Sequence, residues 1–132
     1  MARISVLGAG SWAMGLALLL NDNGHEVTIW SAVAEEIEQL EKDHENPRYL
    51  PGIKIPENIR LSLDLNDSVC NRDVIVMAVA SKFIRSTAER IKDLIRPGQV
   101  IVNVAKGLES GTLFTPKEII NEVIPQADMY VL

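Results

Sequence analysis

Six residues near the start of the chain, Gly8-Ala9-Gly10-Ser11-Trp12-Ala13, are the ones whose types and spacing suit a definite chemistry. A diphosphate needs backbone N–H donors, a favourable helix dipole and no side chain in the way. Gly8 permits a tight turn out of a preceding strand, and Gly10 lets the main chain approach a pyrophosphate closely. Ala13 is small enough for close helix–strand packing at the third position of a G-x-G-x-x-G/A pattern, and Gly15 can share that packing. Ser11 can add a hydroxyl hydrogen bond at the helix start. The chemistry implied is retention of the pyrophosphate of NAD(H) or NADP(H). A glycine-rich turn that merely joins strand to helix has the same composition, so the surrounding elements must decide.

Two further places bear on such a ligand. The end of the second predicted strand faces the adenosine ribose in this kind of site, where an acid suits NAD and an arginine suits the 2′-phosphate of NADP. Here that position reads Ser31-Ala32-Val33, with neither, and Glu35 and Glu36 follow on the next helix. Ser31 and Ala32 are therefore candidate cofactor contacts that leave NAD and NADP equally open. Lys106 directly follows a buried strand and precedes Gly107, where a lysine can reach an anionic or carbonyl-bearing substrate. The position also suits a solvated lysine at a strand end.

Elements that would hold these residues alternate along almost the whole chain. Arg3–Leu7 reads as a strand, 12–23 as a nearly all-apolar helix stopped by Asn23-Gly24, and Glu26–Trp30 as a second strand. Ser31 is placed to cap an acidic helix that runs to about Asp43. Residues 44–56 carry three prolines and Gly52, which excludes a helix or an interior strand and predicts a loop. A strand over 59–62, a short helix over 64–70, a buried strand over 74–79 and a helix over 82–95 follow. Another buried strand spans 100–105. Thr115-Pro116-Lys117-Glu118 is a capping box with proline at the first helical position, opening a helix that ends near Ile124-Pro125. A last strand begins at 129–132, and its interruption reads as a truncated piece rather than a finished domain. The expected fold class is α/β, a Rossmann doubly wound parallel sheet with right-handed crossovers. The turn follows a strand and opens a helix, which favours the dinucleotide reading.

Composition excludes other classes. The 132 residues carry 13 Lys and Arg against 18 Asp and Glu, a formal net charge of −5, which argues against nucleic acid or an anionic membrane as partner. The acidic stretch from Glu35 to Glu45 reads as a solvated helix face. The apolar run from Trp12 to Leu20 is too short to cross a bilayer. Cys70, the single cysteine, cannot form an internal disulfide and reads as a core or near-core residue, which suits a reducing compartment, the cytoplasm. His25 and His44 lack partners at ligand spacing, so no metal site is expected.

Three segments taken together narrow the class: the glycine-rich turn with Trp12, the loop Glu45-Asn46-Pro47-Arg48-Tyr49-Leu50-Pro51-Gly52, and Asn103-Val104-Ala105-Lys106-Gly107-Leu108-Glu109. The chain resembles the bacterial-type NAD(P)-dependent sn-glycerol-3-phosphate dehydrogenases over essentially its whole length, which corresponds to the amino-terminal part of that architecture. The resemblance implies that Ser11 and Trp12 contact the cofactor, that Lys106 touches both cofactor and glycerol phosphate, and that Tyr49 lies over the cofactor side. Read without the resemblance, Trp12 is a core aromatic at a helix start. The reaction implied is interconversion of sn-glycerol 3-phosphate and dihydroxyacetone phosphate by hydride transfer, supplying phospholipid precursors. The family's general base, a lysine, belongs to a helical carboxyl-terminal domain, so no catalytic residue is expected in this chain and the piece alone should be inactive. A homodimer is the expectation for a full-length protein. The chain departs from the family at Ala13, where glycine is common, at Ala32, near which an arginine is common, and at Ala80, in place of a proline. Rival readings are a ketopantoate reductase or β-hydroxyacid dehydrogenase on the same fold, a non-catalytic nucleotide-sensing module, and an adenosylmethionine-dependent enzyme.

Overall fold

A computed structural model describes all residues, 1–132. Its main sheet has six strands, all parallel, in the order β5-β2-β1-β6-β7-β8. These are β1 (Arg3–Leu7), β2 (Glu26–Trp30), β5 (Arg60–Ser62), β6 (Val74–Met77), β7 (Val100–Asn103) and β8 (Asp128–Val131). The chain builds outward from β1 through β2 to β5, then returns to the other side of β1 and builds outward again. The order thus reverses between β1 and β6, which is where open parallel sheets bind ligands. The doubly wound α/β expectation is met.

Helices α1 (Ser11–Asp22) and α2 (Ala34–Asp43) are joined to one apolar cluster, with Ile4, Val6, Val27, Ile29, Met14 and Leu40 at its heart. Helices α3 (Leu65–Val69), α4 (Ile84–Ile91) and α5 (Pro116–Val123) pack into a second, around Leu7, Ile75, Met77, Ile101 and Ile120. Alternate residues of the strands supply the two faces, as the two-residue period of a strand requires. Thr115 and Glu118 form the expected reciprocal cap of α5, and Gly24 ends α1 with a left-handed φ of 87°.

One polar rivet crosses the amino-terminal end of the sheet. Arg72 is 3% exposed, and its guanidinium donates to Ser5 Oγ and to the carbonyls of Ser68 and Asp67. Its own carbonyl accepts from Gln99 Nε2 at 2.6 Å and from Arg96. Burial lowers the guanidinium pKa, but the carbonyl acceptors satisfy its donors, so the group adds connection rather than an unmet charge.

Several expectations change. Residues 44–56 are not a plain loop: β3 (Glu45–Asn46) and β4 (Leu50–Lys54) pair antiparallel as a separate small hairpin. Pro51 is compatible with β4 because the strand is an edge and needs no N–H at every position. Ser31 does not cap α2. Its hydroxyl accepts from Val33 N–H two residues on, the chain stays extended, and Val33 becomes the cap residue without a side-chain bond. The helix expected over 82–95 is α4 flanked by 3-10 turns, Ser81–Phe83 and Lys92–Leu94. Helix α1 buries only Ala13, Met14 and Ala17, leaving Leu19 exposed, so its apolar residues are not all pressed on the sheet. Cys70 is half-buried, with Sγ against Asn66 Oδ1. No helix is long and apolar enough to cross a membrane, and no group of His, Cys, Asp and Glu could hold a metal ion.

Candidate dinucleotide site

The glycine-rich turn leaves β1 at the switch point and is held there by main-chain geometry. Gly8 has φ 134°, its N–H donates to Trp30 O at 2.7 Å, and Ala78 N–H donates to Leu7 O at 2.9 Å. The ends of β1, β2 and β6 are thereby pinned together. A Cβ on Gly8 would lie 2.6 Å from Ala78 O, so glycine is required both for the backbone angle and for the approach to β6.

Gly10 presents the opposite case. Its φ of −75° suits any residue, and nothing lies within 4 Å of where its Cβ would be. Neither strain nor packing inside the chain calls for glycine, yet a side chain there would project into open space before the start of α1. Gly10 is the cap residue of α1 and supplies no side-chain acceptor. The N–H groups of Ser11, Trp12 and Ala13 have no acceptor in the chain; the first bond of the helix runs from Met14 N–H to Gly10 O. Three free donors at a positive helix end, with vacant space before them, fit an anion such as a diphosphate.

These donors open into a cleft of about 530 Å³, within the usual range for small-molecule sites. Gly8, Ala9, Gly10, Ser11, Trp12 and Ala13 form one wall, and Trp30, Ser31, Ala32 and Val33 form the end beyond β2. Ala78, Val79 and Ala80, after β6, face the turn, and Tyr49 closes the rim from the hairpin. Trp12 is 56% exposed and lines the cleft, so it is not the core aromatic that its composition alone suggests. Trp30 is the core indole instead, and its Nε1 is the one buried side-chain polar atom without a partner.

Five further lining residues carry no signal in the glycine pattern. Phe83, Ser86, Thr87 and Arg90 come from the first 3-10 turn and α4, and Glu36 comes from the first turn of α2. The Arg90 guanidinium lies 5.6 Å from the centroid of the Trp30 ring, a cation–π contact. Asn46 acts from outside the cleft wall. It is 5% exposed, its amide donates to Ala9 O at 3.0 Å, and its Oδ1 accepts from Tyr49 N–H at 3.2 Å. One side chain therefore ties the glycine-rich turn to the hairpin that carries Tyr49. Within the hairpin, the Gly52 N–H and then Lys54 hold the Glu45 carboxyl below its ordinary pKa.

Lys106 is not part of this lining. It lies exposed beyond β7, with no carboxylate in ion-pair range. The next residue, Gly107, sits against Ser81 at the start of the 3-10 turn, so this loop borders the cleft at the Ala80 end. Its far side is anchored by Arg85, which makes a two-pronged ion pair with Glu109 at 2.7 and 2.8 Å and reaches Glu122 on α5 at 2.8 Å.

That anchor has a pH signature. Hydrogen bonds from Arg85, then from Thr112, bring the Glu109 carboxyl down to about 2. A carboxylate with a depressed folded pKa contributes stability above its ordinary value of 4.5, and that contribution is lost as pH falls toward 2. Thermal melts between pH 6 and 2 are expected to show a shallower loss of stability over this window in Glu109→Gln than in the wild type.

A parallel sheet with a donor-rich helix start at its switch point defines a nucleotide-binding domain of the Rossmann class. The family model described as the N-terminus of NAD-dependent glycerol-3-phosphate dehydrogenase matches residues 3–132. The chain belongs to that family. Glycerol-3-phosphate dehydrogenase NAD(P)+ of Agathobacter rectalis is 45% identical over 132 residues, all of this chain and 39% of that protein. The enzyme of the same name from Fusobacterium nucleatum is 46% identical over 131 residues, 99% of this chain and 39% of its own length. The crystal structure of glycerol-3-phosphate dehydrogenase from Coxiella burnetii superposes with a TM-score of 0.89 at 31% identity, covering 98% of this chain and 40% of that one. The chain thus spans about two fifths of the length of the curated relatives it matches.

Proposed function

We propose that the chain is the NAD(P)-binding part of a glycerol-3-phosphate dehydrogenase, interconverting sn-glycerol 3-phosphate and dihydroxyacetone phosphate. The observation that carries this reading is the set of unpaired N–H groups of Ser11, Trp12 and Ala13 behind the open space at Gly10. The pyrophosphate is held by these donors and by the Ser11 hydroxyl. Trp12 and Tyr49 flank the dinucleotide, and Ser31 and Ala32 lie at its adenosine ribose. Bound there, the dinucleotide exchanges a hydride with C2 of the substrate. Lys106, an unpaired cation beside the cleft, attracts the substrate phosphate and borders the cofactor. The proton-transferring lysine and the remainder of the substrate site come from a helical domain in the rest of such a protein. The setting is the cytoplasm, and the longer protein is a homodimer. Membership of the family, with relatives named for this activity, supports the substrate assignment.

The test uses the two tryptophans, one lining the cleft wall and one at its end. Titration of the chain with NADH and NADPH is expected to quench tryptophan emission saturably with at least one of them. A folded chain, verified by circular dichroism, that responds to neither refutes the cofactor reading. In the longer protein, reduction of dihydroxyacetone phosphate is the expected activity, and reduction of ketopantoate in its place refutes the substrate.

A further inference from the structure

We propose that the cleft rejects a phosphate on the adenosine ribose, so that the chain binds NAD(H) in preference to NADP(H), with Glu36 as the discriminating residue. This rests on the reading of the cleft as a dinucleotide site and adds the choice between its two forms.

Three observations converge. First, the cleft end beyond β2 is made by Ser31, Ala32 and Val33, none of which can meet a phosphate with positive charge. Second, the charged group that α2 contributes to the cleft is an acid. Glu36 is half-buried in the first turn of α2, and it makes no ion pair, so its charge is unspent. A helix start would ordinarily attract a phosphate, but Glu35 and Glu36 already occupy the first turn of α2 and offset its dipole. Third, the one cation of the lining, Arg90, comes from α4 and rests over the Trp30 ring. A 2′-phosphate, carrying up to two negative charges, would therefore meet an uncompensated carboxylate. A ribose hydroxyl can donate a hydrogen bond to that same carboxylate, which is the pattern of NAD selection.

Calorimetric titrations of NADH and NADPH into the wild-type chain, Glu36→Gln and Ala32→Arg test the proposal. The wild type is expected to bind NADH at least tenfold more tightly than NADPH. Glu36→Gln should narrow that ratio severalfold by strengthening NADPH, and Ala32→Arg should narrow it further by supplying the missing cation. Equal or tighter NADPH binding by the wild type overturns the proposal while leaving the dinucleotide site intact, and Arg90 then becomes the phosphate partner. An unchanged ratio in Glu36→Gln overturns the role of that residue. Binding of neither nucleotide to a folded chain removes the underlying site and this inference with it.

Discussion

Alanine at Gly10 is expected to abolish most dinucleotide binding while leaving the fold in place; alanine at Gly8 is expected to destabilise the fold itself. At Gly10 the backbone is already ordinary, and the added methyl meets no atom of the chain. Alanine is a poorer helix cap than glycine by up to about 1 kcal/mol, but it also restricts the unfolded chain by about 0.4–1 kcal/mol. These offset, so the melting temperature should stay within about 4 °C of the wild type. Gly10 does, however, line the cleft together with the free donors of Ser11, Trp12 and Ala13, and the methyl adds bulk to that wall where a pyrophosphate must approach the main chain. Charge-assisted hydrogen bonds contribute about 1.5–3 kcal/mol each, so losing even one or two weakens NADH by roughly 100-fold. At Gly8 the methyl would sit 2.6 Å from a main-chain oxygen at φ 134°, and neither neighbour is a flexible side-chain tip. Strained backbone at such a position costs about 1–3 kcal/mol, and displacing β6 from the turn adds to it. A loss of about 3 kcal/mol corresponds to a melting point lower by roughly 10 °C or more. Thermal melts and NADH titrations on both variants measure the contrast, and two variants with the same profile would contradict it.

Asn46→Asp is expected to cause the second large loss. The native amide donates to the Ala9 carbonyl and accepts from Tyr49 N–H in a nearly inaccessible position. An aspartate keeps the acceptor and the shape but places an ionised oxygen against the Ala9 carbonyl oxygen, with no donor between them. Burying an unpaired polar contact costs about 1–3 kcal/mol, and more when the group is charged. Destabilisation of about 2–4 kcal/mol at neutral pH is therefore expected. Dinucleotide affinity should fall as well, because the Ala9 carbonyl precedes Gly10 and sets the direction of the donors behind it. Burial raises the new carboxyl's pKa, so its penalty is present above that value and recedes as pH drops and the acid regains a proton to donate. Melts of Asn46→Asp and Asn46→Ala from pH 7 to 4 check this. A deficit that does not shrink on acidification in the aspartate variant would rule out the charge as its cause.

These two sites also show why part of the arrangement is legible in the residues and part is not. The glycine-rich turn can be read directly because its constraints are local: a strand, a φ only glycine accepts, and a helix start within a few positions. The six parallel strands follow from alternation and from apolar runs such as Val74–Met77. Asn46 is invisible to that reading, since its partner Ala9 is 37 positions away and nothing in the spacing joins them. Glu36 looks like its neighbours in an acidic run, and only the pitch of α2 turns it, half-buried, toward the cleft. Ser31 shows a local ambiguity: a serine before a helix can cap it or can bond two residues on, and the second option wins here. Trp12 misleads by composition, because an apolar ring suits the wall of a ligand cleft as well as a core. Lys106 is singled out by its position after a buried strand, yet its exposed side chain does not line the cleft.

The place of β1 at the centre of the sheet has a consequence for how the molecule comes into being. One neighbour, β2, is near in sequence, but Ile4 must wait for Val74, 70 positions later, to complete its other edge. On a translating ribosome β1 therefore spends the synthesis of about half the chain with one flank unzipped. Gly8 is locked against Ala78 only after β6 has emerged and docked, so nascent chains shorter than that have no finished cleft. Long-range parallel pairing of this kind slows folding and leaves an open edge for other chains to find. The polypeptide thus carries the glycine-rich turn from early in the chain but completes the cleft around it only when the return crossing is made.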